Sequence, residues 1–247
     1  MMIKSEKYYW EQPWKKSLSI SSSFCKAVVS AGYLTWHQML DAVCRYRLGG
    51  SNQGGVIFWQ INHEGRICNG KVMYYLPDCH RNKRRNPTWV SAILAERHGG
   101  KCESDITGHC LFGLHLLSET HSWLLPTADA GSLPPIAIVE AEKTAVILSA
   151  YYPQYIWLAS GGLYEVQTEK FRPLKGRQII LFPDTDPQGQ AYKYWYDAAQ
   201  MVMAAPWWEG SPPIRVSAIL EQHATPEQKR RKIDLVEYLT EGSMLTS

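Results

Sequence analysis

The chain has 247 residues, of which 45% are hydrophobic and 20% charged, the balance of a folded globular protein rather than a disordered or fibrous one. No apolar run approaches the ~20 residues that cross a bilayer. The opening MMIKSEKYYWEQPWKK has lysines but no apolar core, so no secretory signal is expected, and the chain reads as cytoplasmic with no membrane partner.

A net charge of +3 does not by itself mark a nucleic-acid binder, but the charge is unevenly placed. HRNKRRN (80–86) packs four cations into seven residues, and QKRRK (228–232) packs four into five. Such runs are commonly solvated loops, and they also suit a polyphosphate backbone. The 10 tryptophans and 14 tyrosines could stack on bases, although most should be core. Six cysteines stand at 25, 44, 68, 79, 102 and 110 with no Cys-x-x-Cys pair. That argues against a zinc ribbon or a disulfide scaffold, and free thiols without zinc are expected. Cys102, His109 and Cys110 would hold a metal only with a fourth ligand from elsewhere.

Residues 1–23 read as a polar, aromatic arm without clear period. Over 35–48, Trp36, Met39, Leu40, Val43 and Leu48 fall near helical spacing, with Thr35 as N-cap. GGSNQGG then breaks the chain. VIFWQINHEGRICNGKVMYY (56–75) predicts a hairpin turning at NHEG. Pro87 and Thr88 should open a short helix ending at Gly99-Gly100. HCLFGLHLL (109–117) is a compact apolar element, and the proline-bearing stretch 118–135 reads as a loop. From there strands and helices alternate: strand 135–140, helix 142–152, strand 155–160, strand 177–183, helix 189–205, strand 214–220, and a helix over 232–242 with a glycine stop. That βαβ pattern predicts an α/β fold, a mainly parallel sheet flanked by helices, preceded by a smaller α+β subdomain. Three segments follow: an arm and helix over 1–48, the α+β subdomain over 49–128, and the α/β domain over 129–247.

Ligands of open parallel sheets bind at the carboxyl ends of the strands. Here the first strand ends in Glu140, the second in Ser160-Gly161-Gly162, and the third in Asp184-Thr185-Asp186. If the first and third strands are neighbours, three carboxylates meet. At neutral pH they would shift their pKa values or draw in a cation, and hard oxygens select Mg²⁺ or Mn²⁺. Asp186 has a second reading as a turn and helix cap.

IAIVEAEKTAVIL and ILFPDTDPQGQAY resemble the two signature motifs of the Toprim domain, shared by bacterial primases, type IA and type II topoisomerases, OLD-type nucleases and small RNA-maturing nucleases. The resemblance spans about residues 133–242. It implies that Glu140, Asp184 and Asp186 are catalytic and bind Mg²⁺ or Mn²⁺. The sequence departs from the pattern at Ala141, where a glycine is usual, and at Thr144, where bacterial primases commonly carry an acid. KIDLVEYLTEG is similar to the acidic segment closing the primase Toprim, so Asp234 is a further candidate ligand, or else a helix-start carboxylate.

Upstream, the hairpin with Gly65-Arg66 and Gly70-Lys71, then NPTWV and CLFGLHLL, follow the order of landmarks in the DnaG-type primase core. The closest resemblance is to primase-like proteins of Bacteroides-type mobile elements. It implies metal-dependent nucleotidyl transfer on single-stranded DNA from nucleoside triphosphates, with a replicative helicase or a separate zinc-binding module as possible partners. Arg66, Lys71, Arg81, Lys83, Arg84 and Arg85, with Gly161 and Gly162, are the candidate nucleic-acid or nucleotide contacts. Arg66 and Lys71 could instead be cations guarding a hairpin edge. Lys143, just after the first strand, could be a phosphate contact or a solvent-facing lysine, and the solvent-facing reading is preferred. Two rivals remain: a Toprim nuclease using the same acids, and a non-catalytic nucleic-acid-binding accessory.

Overall fold

The computed structural model describes residues 13–97, 108–118 and 133–244. The chain forms two compact units, Met1–Glu119 and Thr120–Ser247.

The first unit opens with helices α1 (Pro13–Ser17), α2 (Ser23–Ser30) and α3 (Trp36–Tyr46). The expected arm therefore contains α1 and leads straight into α2. Ser22 caps α2 by accepting the Cys25 N–H. Thr35 and Gln38 close a reciprocal capping box on α3, as the sequence suggested. The inward face of α3 is Met39, Ala42, Val43 and Tyr46, whereas Trp36 and Leu40 stay about half exposed.

Strands β1 (Gly49–Gly50), β2 (Val56–Ile61), β3 (Ile67–Met73) and β4 (Thr88–Trp89) form an antiparallel sheet in that order. The β2–β3 pair is the predicted hairpin. Asn62 Oδ1 accepts the N–H groups of Glu64 and Arg66 across its turn. Every residue of β2 is buried, and all but Gln60 are apolar. Phe58 meets Phe24 and Phe112 at ring separations of 5.3 and 5.5 Å. Ile57, Trp59 and Ile61 cluster with Val72, Val90 and Ile93. Helix α4 (Val90–Arg97) starts later than expected, because Thr88 and Trp89 first pair with Val72 and Lys71 on the β3 edge. A threonine and an aromatic suit that extended pairing. The expected stop at Gly99-Gly100 lies outside the described residues.

The second unit contains β5 (Ile136–Val139), α5 (Glu142–Tyr151), β6 (Ile156–Ala159), β7 (Ile179–Phe182), α6 (Gln190–Ala204), β8 (Arg215–Val216), α7 (Ile219–His223), α8 (Pro226–Arg231) and α9 (Leu235–Met244). The strands pair in the order β6-β5-β7-β8, all parallel. This is the expected parallel sheet flanked by helices. Strands β5 and β6 are buried throughout, and α5 adds Ala145, Val146, Ile147 and Leu148 to the core.

Three elements differ from expectation. The strand expected over 214–220 is only two residues long. Ser217 donates its N–H to Leu181, its Oγ accepts the Ile219 N–H, and the chain turns into α7. The QKRRK run lies on and just after α8, not in a solvated loop, and its first three cations are paired. Lys229 meets Glu221 at 2.9 Å, Arg230 meets Glu227, and Arg231 meets Glu241. Helix α9 runs through Gly242 to Met244, since a helical glycine costs only about 1 kcal/mol. Among the described residues, no helix is long and apolar enough to cross a membrane.

His115 makes the first unit acid-sensitive. It is fully buried in a 3₁₀ turn, Leu114–Leu117, and its Nε2 lies 3.1 Å from the Arg45 carbonyl. A carbonyl only accepts, so Nε2 carries the proton, and the buried Nδ1 has no partner. Burial, with the nearby Arg47 charge, lowers its pKa to about 4 from 6.5. Between those two values the unfolded chain takes up a proton that the folded chain refuses. Stability should therefore fall as pH drops through that window, by up to about 3 kcal/mol. Urea denaturation from pH 7 to 4 should show a shallower loss for His115→Gln than for the wild type. Equal losses would assign the acid sensitivity to other groups.

Candidate metal and phosphoryl-transfer site

The chain enters the second sheet at β5, steps outward to β6, and then crosses to β7 on the other side of β5. The order of the strands reverses between β5 and β7, and the carboxyl ends beside such a switch point form the ligand crevice of open α/β sheets. Val139 pairs with Phe182. Glu140 and, after Pro183, Asp184 therefore leave neighbouring strands at the same end. The β6 side continues the ladder: Ser160 N–H donates to Val139 at 3.0 Å, and Gly161 N–H to Glu140 at 2.9 Å. Gly161 and Gly162 have φ of +93° and +158°. A side chain at 161 would meet Glu142 Oε1 at an ordinary 3.5 Å, so conformation rather than crowding calls for glycine here.

Asp234 joins from a distant part of the chain. Thr185 N–H donates to the Ile233 carbonyl at 3.2 Å, which ties the β7 loop to the start of α9. Asp234 Oδ1 accepts the Glu237 N–H at 2.9 Å, and Glu237 Oε2 accepts the Asp234 N–H at 3.2 Å. Asp234 is thus a helix-start carboxylate. Its other oxygen faces α5, accepting the Thr144 hydroxyl at 2.8 Å and lying 3.1 Å from Lys143 Nζ. The helix-start reading of this residue is realised, and its second oxygen is engaged by α5.

Asp184 is part-buried. Desolvation raises its pKa well above the usual carboxylate range. Glu140, Asp234 and Glu237 push the same way, and Lys143 opposes them. Asp186, two residues on, is in a different situation. Its Oδ1 accepts the Gln188 N–H at 2.9 Å and its Oδ2 the Ala191 N–H at 2.7 Å. Burial pushes its carboxyl up, but those backbone donors and the Lys232 charge outweigh it, and the net shift is down. Asp186 caps the first turn of α6, where the helix dipole also favours an anion.

A family described as a domain of unknown function, DUF6371, matches residues 22–185. The chain belongs to the DUF6371 family. No curated protein matches it. Among solved structures, the DUF6371 chain is similar to a DnaG catalytic core, with 11% identity and a TM-score of 0.52 over 97% of this chain and 84% of that one. It is also similar to the Escherichia coli primase catalytic core, with 13% identity and a TM-score of 0.51 over 98% and 85%. The primase fragment of the bacteriophage T7 primase-helicase matches at 16% identity and 0.43, over 78% and 70%. At these identities the likeness to the first two shows a shared primase-core fold and nothing beyond the fold.

The structure brings Glu140, Asp184 and Asp234 of the DUF6371 chain together at one sheet end. It adds Glu237, which the sequence reading did not single out, and Lys143, which it placed in solvent. The solvent-facing reading of Lys143 is corrected: its side chain is 11% exposed. The one local signal was the Asp-x-x-Glu spacing of 234 and 237, a capping-box pattern that brings the two carboxylates to the same helix start. The basic candidates belong to the first unit. Arg66 is exposed and paired with Glu64 at the hairpin turn, while Lys71 is part-buried on β3 opposite Trp89. Arg81, Lys83 and Arg84 are exposed, whereas Arg85 lies over the Tyr74 ring at 3.5 Å and bonds Gln53. Of the cysteine and histidine set, Cys102 lies outside the described residues. His109 contacts Gln60 Oε1 at 3.0 Å and the Trp89 ring at 4.4 Å.

Among the described residues, no three histidine, cysteine or acidic side chains form a ready metal shell. Glu140 and Asp184 still fit a hard divalent cation. They are oxygen donors at a switch point, and burial first, then the neighbouring Glu140 and Asp234 charges, raise the pKa of Asp184 despite Lys143. The buried Thr185 hydroxyl between the two aspartates also lacks a hydrogen-bond partner.

The two aspartates should respond oppositely to charge removal. Asp184→Asn relieves like-charge repulsion and should raise the metal-free melting temperature at pH 7, by on the order of 1 kcal/mol or more in stability. Asp186→Ala removes a helix cap and should cost about 1–2 kcal/mol. Thermal denaturation in a chelator checks both, and shifts of the same sign would contradict the assigned roles.

Proposed function

We propose that this DUF6371 protein is a primase-like nucleotidyltransferase. It would extend or initiate a strand on single-stranded DNA from nucleoside triphosphates, in the replication of a plasmid or mobile element. The observation that carries this reading is the meeting of Glu140 and Asp184 at the switch point of a parallel sheet, in a chain that shares the primase-core fold. The Toprim signature in IAIVEAEKTAVIL and ILFPDTDPQGQAY supports the same chemistry.

Glu140 and Asp184 hold Mg²⁺ or Mn²⁺, with Asp234 on the flank and Asp186 fixing the loop through its cap on α6. The bound ion supplies charge neutralisation at the transferring phosphate and its leaving oxygen. The chain's own part is positioning. The ladder from β6 to Glu140 and the Thr185–Ile233 bond keep the carboxylates in place, so little reorganisation is needed as charge develops. Gly161-Gly162 leaves the loop beside Glu140 without side chains, where a triphosphate could approach the backbone. Arg81, Lys83 and Arg84 are exposed cations suited to template phosphates. A helicase or a separate zinc-binding module would help engage template.

One feature favours a non-catalytic, nucleic-acid-binding role instead: the Lys143 ammonium already neutralises part of the cluster. The test is primer synthesis on single-stranded DNA with labelled ribonucleotides and Mg²⁺ or Mn²⁺. The wild type should give short products. Glu140→Gln and the double variant Asp184→Ala/Asp186→Ala should lose at least ~100-fold, roughly 2.7 kcal/mol of transition-state stabilisation. Cleaved template without products would identify a nuclease. Template binding without either reaction would identify an accessory.

A further inference from the structure

The acid cluster carries a cation of its own. Lys143 Nζ lies 3.1 Å from Asp234 Oδ2 and 3.5 Å from Glu237 Oε1. All three side chains are sheltered, at 11%, 8% and 20% exposure. The Thr144 hydroxyl meets the same Asp234 oxygen, and the Glu237 N–H takes the other. A carboxylate has about four acceptor positions. Three donors from α5 and α9 therefore leave Asp234 little capacity to ligate an ion.

We infer that Lys143 is the fixed counter-charge of Asp234 and Glu237, and that it limits this site to a single divalent cation, held by Glu140 and Asp184. The inference rests on the metal-binding reading of Glu140 and Asp184 given above. Two-metal sites place their ions about 4 Å apart and need carboxylates that serve both. Here the carboxylates that would serve a second ion are already paired with an ammonium. An incoming ion at Asp234 would stand against that charge, and displacing it would strand a sheltered lysine without its partners.

The experiment is a Mn²⁺ titration of the full chain at pH 7, followed by calorimetry and by the electron paramagnetic resonance signal of free Mn²⁺. Thermal denaturation with and without the ion runs in parallel. The wild type should bind one Mn²⁺ per chain. Asp184→Asn should weaken that binding at least tenfold, and Asp234→Asn should leave the stoichiometry at one. Lys143→Met should melt lower than the wild type without metal, take two ions, and regain melting temperature as Mn²⁺ is added. Lys143→Arg, which keeps the charge and guards against a folding failure of the methionine variant, should stay at one.

Two ions on the wild type, or one on Lys143→Met with no recovery of melting temperature, would overturn the role of Lys143 while leaving the metal reading intact. No ion on the wild type but one on Lys143→Met would uphold the lysine as the blocking charge and overturn metal binding by the native site. No binding by any variant would overturn both.

Discussion

The candidate site depends on one backbone constraint, the parallel pairing of β5 with β7 in the register Val139 to Phe182. Adjacent strands lie about 4.8 Å apart, so this pairing delivers Glu140 and Asp184 to the same small volume. The sequence that makes the pairing possible is entirely apolar, IAIV on one strand and IILF on the other. Burial of those strands drives the fold, and the carboxylates at their ends are carried into proximity against their mutual repulsion. Burial raises the pKa of Asp184, and that repulsion adds to the shift. A site built this way is destabilising when empty of positive charge, and a cation from within the chain or from solution relieves it.

Two aspartates one residue apart end up with different tasks because the strand's period of two no longer governs after Pro183. Asp184 still belongs to the sheet end and meets the acids of β5 and α9. Asp186 has passed into the turn, where the Gln188 N–H takes one of its oxygens and the Ala191 N–H, in the first turn of α6, takes the other. Thr185 lies between them, with its backbone tied to Ile233. The Asp-x-Asp pattern therefore combines an electrostatically strained group with a buried helix cap whose oxygens are bonded to backbone N–H groups. The second rigidifies the loop that carries the first.

Much of this was legible in the sequence. Strong apolar runs bounded by glycine, proline and aspartate placed β2, β3, β5, β6 and β7, and Thr35 placed the start of α3. The hidden features depend on tertiary partners. Nothing local shows that Thr88 and Trp89 pair with β3 before α4 begins, or that Ser217 turns the chain into α7 after two strand residues. The basic run near 230 looks like a nucleic-acid footprint only until Glu221, Glu227 and Glu241 are seen to pair with it. Short edge strands and surface ion pairs are decided by neighbours far along the chain.

Lys143 shows the same limit at the site itself. It lies in the first turn of α5, at the positive end of the helix dipole, where a lysine is locally unfavourable and acids are preferred. By local rules it belongs in water. It is held instead by Asp234 and Glu237, ninety or more residues away, which bring two negative charges against that helix start. Thr144 beside it donates to Asp234, at a position where primases resembling this chain commonly carry an acid. An acid there would add a fourth carboxylate to Glu140, Asp184 and Asp234 and increase the demand for metal. A threonine and a lysine do the reverse. Adjacent residues on α5 thus shift the cluster in one direction, from acids that require external cations toward acids partly satisfied by the protein.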